Sequence, residues 1–356
     1  MGHPGVPIWS TLLALASLEE VSGKIFLQAA VRAYDAYCHI GRVINPKAYL
    51  ERGFDATGTC GAIAASVAAG TIMGLNEEEL ANSISIAASL CGGLNQYAID
   101  GGSPKYLCAG WAAQLGVQSA KLAKSGADGP HSVFEGKKGF CQGFAISYDK
   151  QALEDIAVRW DILDVYLKRF ACVRRLHASL DMVESIVEEH NLTPNKIDKI
   201  NIAGSHFIAE SAIYNPKDIV LAQTSMPYAI AVLLKYGEVT QELIDGNLRN
   251  ADILALSQKV RIKEDESFND LLKQDKGLWG AASVEVTTVA GESSKRSLKY
   301  ALGERENPMP PEILKNKFIK LACKNIDERA ANDLFDTMSN LSRIDDMKEI
   351  VSTFVY

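Results

Sequence analysis

The sequence predicts a mainly helical protein with an α+β segment set between two helical ones. Three observations predict it. Residues 8–148 carry helical periodicity and no alternating strand pattern. Alternation appears only beyond about residue 160. The chain turns helical again after Asn307-Pro308-Met309-Pro310-Pro311. The expected division is 1–158 (helical), 159–306 (α+β) and 307–356 (helices returning to the first segment).

Taken in order, helices are expected over 9–18, 22–40, 58–73, 77–91 and 110–125. Gly74-Leu75-Asn76 breaks the third from the fourth, and Asn76 ahead of Glu77-Glu78-Glu79 is a natural N-cap. In the middle segment 181–190 reads as a helix and 199–204 as a strand. Residues 225–234 read as a helix and 259–263 as a short strand. Residues 283–289 and 297–300 form a hairpin around Gly291. No repeat or low-complexity tract interrupts this order.

Composition narrows the function. The 356 residues suggest two domains, and 47% hydrophobic with 23% charged residues is ordinary for a globular protein. The formal charge is -7 and no lysine/arginine block occurs, so nucleic acid is not an expected partner. The cysteines (38, 60, 91, 108, 141, 172 and 323) are odd in number and form no CxxC pair. That usage is expected of a reduced, cytoplasmic protein without an iron–sulfur cluster or structural zinc. The six histidines show no HxxxH spacing, so neither a metal nor another cofactor is expected. Residues 56–76 and 80–99 are uncharged and nearly long enough to span a bilayer. Their Ala, Gly, Ser, Thr and Asn content gains little from lipid, and they are expected to be central helices of a tight bundle.

Two glycine-rich turns carry the strongest local signal. Gly53-Phe54-Asp55-Ala56-Thr57-Gly58-Thr59-Cys60-Gly61 opens one small-residue helix. Gly101-Gly102-Ser103-Pro104-Lys105 precedes another, at Ala109-Gly110-Trp111-Ala112-Ala113. Helix N-termini present unpaired N–H groups and partial positive charge, and a lysine there suits a carboxylate. Lys105 therefore reads as a substrate anchor or proton carrier against the plainer reading of a loop lysine. Asp55 and Thr57 are good capping residues; for Thr57 capping is preferred, and for Asp55 both capping and substrate contact stand.

Lys168, Arg169, Arg174 and Arg175 form a basic cluster suited to carboxylates, or a solvated face for at least two of them. His177 reads equally as a site residue and as a packed histidine. His3 reads equally as a general acid/base and as part of a frayed terminus. Tyr214 reads as a proton donor or carboxylate partner, or as a half-buried loop tyrosine. Among the thiols, Cys60, Cys91 and Cys108 have small-residue surroundings typical of inert buried cysteines, and Cys108 alone lies near a candidate residue.

Several strings together resemble the MmgE/PrpD family. They are His3-Pro4-Gly5; Gly53-Phe54-x-x-Thr57-Gly58-Thr59-x-Gly61; Gly74-Leu75; Lys105 with Gly110-Trp111-Ala112-Ala113; and Gly129-Pro130 with Glu135-Gly136 and Gly139-Phe140. Further along come Lys168-x-Phe170-x-Cys172-x-x-x-His177, and Pro216-Lys217 leading to Ser225-x-Pro227-Tyr228. Each is weak alone, but their order and spacing over the whole chain are specific. That family includes 2-methylcitrate dehydratases, cis-aconitate decarboxylases and iminodisuccinate epimerases.

The resemblance implies an all-helical domain built from both chain ends with an inserted, smaller α+β domain. It also implies a homodimer and a metal-independent site in the cleft between the domains. The implied substrate is a small di- or tricarboxylic acid. Family site positions fall on His3, Lys105, Lys168 and Tyr214. The expected set is thus His3, Lys105 and Tyr214 as catalytic, and Asp55, Lys168, Arg174, Arg175 and His177 as substrate-binding.

Three positions depart from the family. Asp55 stands where a histidine is common after Gly-Phe. Cys108-Ala109 stands where a histidine often precedes the Gly-x-Ala-Ala helix. Ala171 and Val173 replace the proline and histidine found in the decarboxylases, which weakens decarboxylation most. Family members also carry a helical, Asp-rich segment before His-Pro-Gly, so a truncated start is expected here. The leading expectation is a dehydratase of the 2-methylcitrate type; the alternatives are an epimerase or decarboxylase, and an inactive or binding member.

Overall fold

The computed structural model describes residues 2–45, 47–155, 159–275 and 277–353. The expected boundary at residue 158 lies outside the described residues. Within them the chain is mostly helical with one small mixed sheet. It forms two compact units, residues 1–165 with 319–356, and residues 166–318.

The first unit is built around α3 (Ala56–Ile72), which is buried from Ala56 to Gly70 almost without interruption. Such a helix has no polar face, so it must be surrounded. Around it lie α1 (Gly5–Ala16), α2 (Gly23–Ile44), α4 (Glu77–Leu90) and α6 (Pro104–Lys124). Small side chains allow the close approach. A Cβ at Gly116 of α6 would lie 2.4 Å from Ala65 Cβ and 2.5 Å from Ser66 N. One added at Gly58 would lie 2.3 Å from the Gly92 carbonyl oxygen. Leu341, Met347, Ile350 and Val351 from the end of the chain join the same core. Backbone bonds hold that end, from Gly23 N to Ile344 O (2.9 Å) and from Met347 N to Val21 O (2.7 Å).

Local chemistry explains most boundaries. Asn76 caps α4 in a reciprocal box with Glu79 (Asn76 Oδ1 accepting at 3.0 Å, Glu79 Oε2 at 2.9 Å). Two expectations need correcting. α2 runs on past Gly41 to Ile44, because Val43 and Ile44 are buried in the core. α6 begins at Pro104 rather than near residue 110, since proline is preorganised for a first helical turn. Lys105 is consequently inside that turn. Among the described residues, no helix is long and apolar enough to cross a membrane.

The second unit carries four strands, β1 (Ile197–Gly204), β2 (Val260–Glu264), β3 (Ala282–Thr288) and β4 (Ser293–Leu298), in the order β2-β1-β3-β4. β1 pairs parallel with β2 and antiparallel with β3, and β3 pairs antiparallel with β4. In register, Ile200 faces Val286 and Ile202 faces Val284, and all four are buried. They join Leu176, Leu180, Val183 and Ile186 from the segment leading into and along the helix His177–Glu189, and Tyr228 to Leu233 from the helix Met226–Tyr236. The Tyr228 hydroxyl donates to the Ile244 carbonyl (2.7 Å), which satisfies its one polar atom.

Candidate functional site

In the first unit the polar groups converge on Asp55. Its backbone leaves the Gly53-Phe54 turn extended, with Asp55 N donating to Gly93 O (3.0 Å). The side chain is 1% exposed. Oδ1 accepts from Thr57 N at 2.7 Å, the capping bond. Oδ2 accepts from the Tyr97 hydroxyl at 2.6 Å and the Cys108 thiol at 3.1 Å. Tyr97 belongs to the short helix α5 (Tyr97–Asp100), while Cys108 is on α6. Asp55 therefore ties together three chain segments. A buried carboxylate with three donors is satisfied, which is what makes its burial tolerable.

The neighbours feel that carboxylate. Burial, and then the Asp55 charge, push the Tyr97 phenol far above its ordinary value. The same causes in the same order push the Cys108 thiol up to about 12. Cys108 is thus a protonated donor and not a reactive thiolate. The Lys105 carbonyl also lies 3.2 Å from this sulfur, so the one S–H is shared between it and Asp55, which links Asp55 to the first turn of α6. Lys105 itself is half-buried.

His3 joins the same group. Its Nδ1 lies 3.1 Å from Thr57 Oγ1, and its backbone N–H donates to the buried Tyr37 hydroxyl at 3.0 Å. Burial raises the Tyr37 phenol well above its ordinary value, with Cys60 and Asp55 adding to it. His3, Thr57, Asp55, Tyr97, Cys108 and Lys105 form one connected set. The frayed-terminus reading of His3 is overturned by these two bonds. Asp55 is a capping residue, as one reading held; Thr57, for which capping was preferred, is instead the capped position, giving its N–H to Asp55 while its hydroxyl meets His3.

The second unit holds the cations. Arg169 is neutralised, bonding Glu184 through both terminal nitrogens and reaching Asp181 at 3.4 Å. Arg174 likewise fills its fork with Glu304, Nε to Oε1 at 3.2 Å and Nη2 to Oε2 at 2.5 Å, and lies over the Tyr166 ring. Arg175 Nε donates to Ser211 Oγ at 2.8 Å. The Tyr214 hydroxyl donates to the Val260 carbonyl at 2.8 Å, so this half-buried side chain holds the loop after Ser211 against β2.

His177 opens its helix and is 2% exposed, edge-on to Phe170 at 5.4 Å. Burial, then the charge of Lys168, push its pKa down to about 3, so the ring is neutral. Its Nε2 is buried with no hydrogen-bond partner among the described residues. Lys317, from the helix Pro311–Ala322, donates to the Lys168 carbonyl and is itself pushed down by burial. Lys168, Lys317 and a neutral His177 thus gather near the buried Cys172.

Sequence reasoning missed Tyr97, Tyr37, Glu304 and Lys317. No local pattern marks the tyrosines. Lys317 is 149 residues from Lys168, so only the fold joins them. Among the described residues no group of three or more His, Cys, Asp or Glu side chains is arranged to hold a metal ion.

Comparison with known proteins adds a second line. Residues 1–152 match the model of the MmgE/PrpD N-terminal domain, and residues 170–342 that of the MmgE/PrpD C-terminal domain. A cis-aconitate decarboxylase of Aspergillus terreus is 25% identical over 360 residues, covering 93% of this chain and 70% of the relative. A second, from Aspergillus terreus strain NIH 2624 / FGSC A1156, is 24% identical with the same coverage. The cis-aconitate decarboxylase-like protein oryM of Aspergillus oryzae is 22% identical over 353 residues, covering 93% of this chain and 71% of the relative.

Proposed function

The chain belongs to the MmgE/PrpD family, and on that premise we propose that it is a lyase acting on a small di- or tricarboxylic acid. The carrying observation is the connected set around the buried Asp55, in which an imidazole and a lysine-bearing helix turn are joined through hydrogen bonds. The chemistry assigned to it is removal of a proton next to a carboxylate. His3 is the proposed base, because imidazole titrates near neutrality and Thr57 orients its Nδ1. Lys105 is the proposed cation for the carboxylate on which enolate charge develops. Asp55 fixes the geometry through the three hydrogen bonds that its side chain accepts.

In the second unit, Lys168, His177 and Arg175 are the proposed carboxylate contacts. His177 Nε2 is the group most in need of a partner. Arg174 belongs to the expected set, but its fork is filled by Glu304, which leaves it a supporting role. Tyr214 likewise spends its hydroxyl on Val260, so its proposed part is to shape the loop. A cytoplasmic homodimer is the proposed working form.

Dehydration of a 2-methylcitrate-like hydroxy acid is the preferred reaction, with hydroxide leaving as the proton is removed. Decarboxylation is the second reading, favoured by the cis-aconitate decarboxylases to which the chain is similar. Val173 and Ala171 count against it. The test is solvent deuterium incorporation and product formation, followed by NMR, over a panel of small hydroxy and unsaturated di- and tricarboxylates. An alkene identifies dehydration, and carbon dioxide identifies decarboxylation. Exchange without net product identifies epimerisation. Lys105→Ala should abolish whichever is seen, and full activity in that variant would remove Lys105 from the site.

A further inference from the structure

We propose that the first unit carries a second ligand site, built for an amphipathic monoanion: an apolar body ending in one carboxylate or sulfonate. A cavity of about 450 Å³ opens between the end of α4 and the loop and helix that follow Pro130. That volume is in the range of small-molecule sites. Its apolar lining includes Ala88, Val133, Phe140 and Phe144. The first three are buried, and Phe144 packs on Phe140 (4.6 Å between ring centres) and edge-on to Phe54 (4.7 Å).

Lys137 and Lys138 also line it, and both are exposed. Among the described residues neither has an ion-pair partner within reach. Glu135 lies next to them in sequence but does not line the cavity. Arg52 adds a third cation close by, bonded to the Gly143 carbonyl (2.5 Å) and lying over Phe54. In a chain of net charge -7, a recess of mixed lining, with Phe140 and Phe144 in its wall and unpaired lysines at its rim, favours an anion with an apolar tail.

The wall is held together by its own backbone hydrogen bonds. Phe140 N donates to Val133 O at 2.6 Å, Gly139 N to Gly136 O at 2.7 Å, and Cys141 N to Phe134 O at 3.1 Å. A Cβ at Gly136 would lie 2.5 Å from the Ser132 carbonyl oxygen, so the turn closes only around glycine. A preformed pocket loses less ordering entropy on binding. The ligand differs from the proposed lyase substrate, which offers several carboxylates and little apolar surface. The site therefore stands or falls independently of that reaction.

The test is isothermal titration calorimetry with octanoate, its uncharged amide and pyrophosphate. Octanoate should bind the whole chain, and the amide should bind roughly tenfold more weakly. Lys137→Glu/Lys138→Glu should weaken octanoate by a similar factor, and Ser89→Trp, placed on the exposed lining, should block it. All three positions are exposed, and an unchanged melting temperature would show that the variants fold. Equal binding of octanoate and amide, preference for pyrophosphate, no effect of Ser89→Trp, or no heat with any probe would each overturn the proposal.

Discussion

The two compact units differ in how their central elements pack. Along α3 most buried residues are Ala, Gly, Ser or Thr, with Cys60, Ile63 and Val67 among them, and at Gly58 and Gly116 backbone nearly meets backbone. In the second unit Leu176, Leu180, Ile186, Ile200 and Tyr228 interlock as large side chains. The candidate groups follow the same division. Where backbones are close, a buried carboxylate can be met by a backbone N–H and two side-chain donors from neighbouring segments. Where bulky side chains fill the space, His177 is buried without a partner for Nε2 and loses its charge. Of these two buried groups, one is satisfied and the other shifted, according to the donors that its neighbours supply.

The largest expected effects test the packing itself. Leu180→Ala leaves a cavity among large neighbours and should cost about 3 kcal/mol of unfolding free energy in chemical denaturation. A loss under about 1 kcal/mol would mean the second unit collapses around the gap as a small-residue core would. The next effect concerns charge. His177 has a folded pKa of about 3 against an ordinary 6.5, so the folded state resists its protonation. Its contribution is fully present above pH 6.5 and is lost as pH falls from there toward 3, by about 1.4 kcal/mol per pH unit. At pH 4.5 that is about 2–3 kcal/mol. Denaturation of His177→Gln at pH 7 and pH 4.5 should show that much less acid sensitivity than the natural chain; equal sensitivity would place the acid-labile group elsewhere.

Smaller, and opposite in kind, is Gly116→Ala. The added methyl meets Ala65 and Ser66 backbone atoms rather than a flexible side chain, so α3 and α6 must part. Overpacking of this sort should cost about 2 kcal/mol and lower the melting temperature. A neutral outcome would show that the small-residue unit has slack, and would break the contrast with Leu180→Ala.

Much of this was legible in the sequence, and the exceptions have physical causes. The long helices announce themselves by periodicity, and the α4 start by Asn76 and Glu79. The sheet's β1 and β3 follow from alternation and the turn from Gly291, but β4 begins at Ser293, ahead of the expected 297. Short helices such as Ile219–Thr224 and Gln241–Gly246 are too brief to show a period. Glycine misleads at Gly41, where tertiary burial of Val43 and Ile44 outweighs a residue that usually ends helices. At the site, a capping role for Asp55 is readable from Asp-Ala-Thr-Gly. Its other two donors come from residues 42 and 53 positions away, where no local pattern reaches. The arginine cluster misleads more, because the carboxylates that fill Arg169 and Arg174 lie 15 and 130 residues away, outside the local pattern.

The finest test asks whether the Asp55 charge, rather than packing alone, governs its surroundings. Asp55→Asn keeps an acceptor for Thr57 N and removes the charge. Burial would still hold the Cys108 thiol high, but the second cause named above would be gone. Cys323 is exposed and would react first, so the comparison is made in a Cys323→Ser background. Alkylation of Cys108 by iodoacetamide at pH 8.5, located by peptide mass spectrometry, should speed up about fivefold, the effect of lowering a thiol pKa by less than one unit. The fully buried Cys60 serves as the internal control, since it should stay silent unless the unit has loosened. If Cys108 alone accelerates, the carboxylate sets the electrostatics of the α6 turn that carries Lys105. If neither thiol changes, the bond to Cys108 is a packing contact, and Lys105 is positioned by the small-residue helices without help from Asp55.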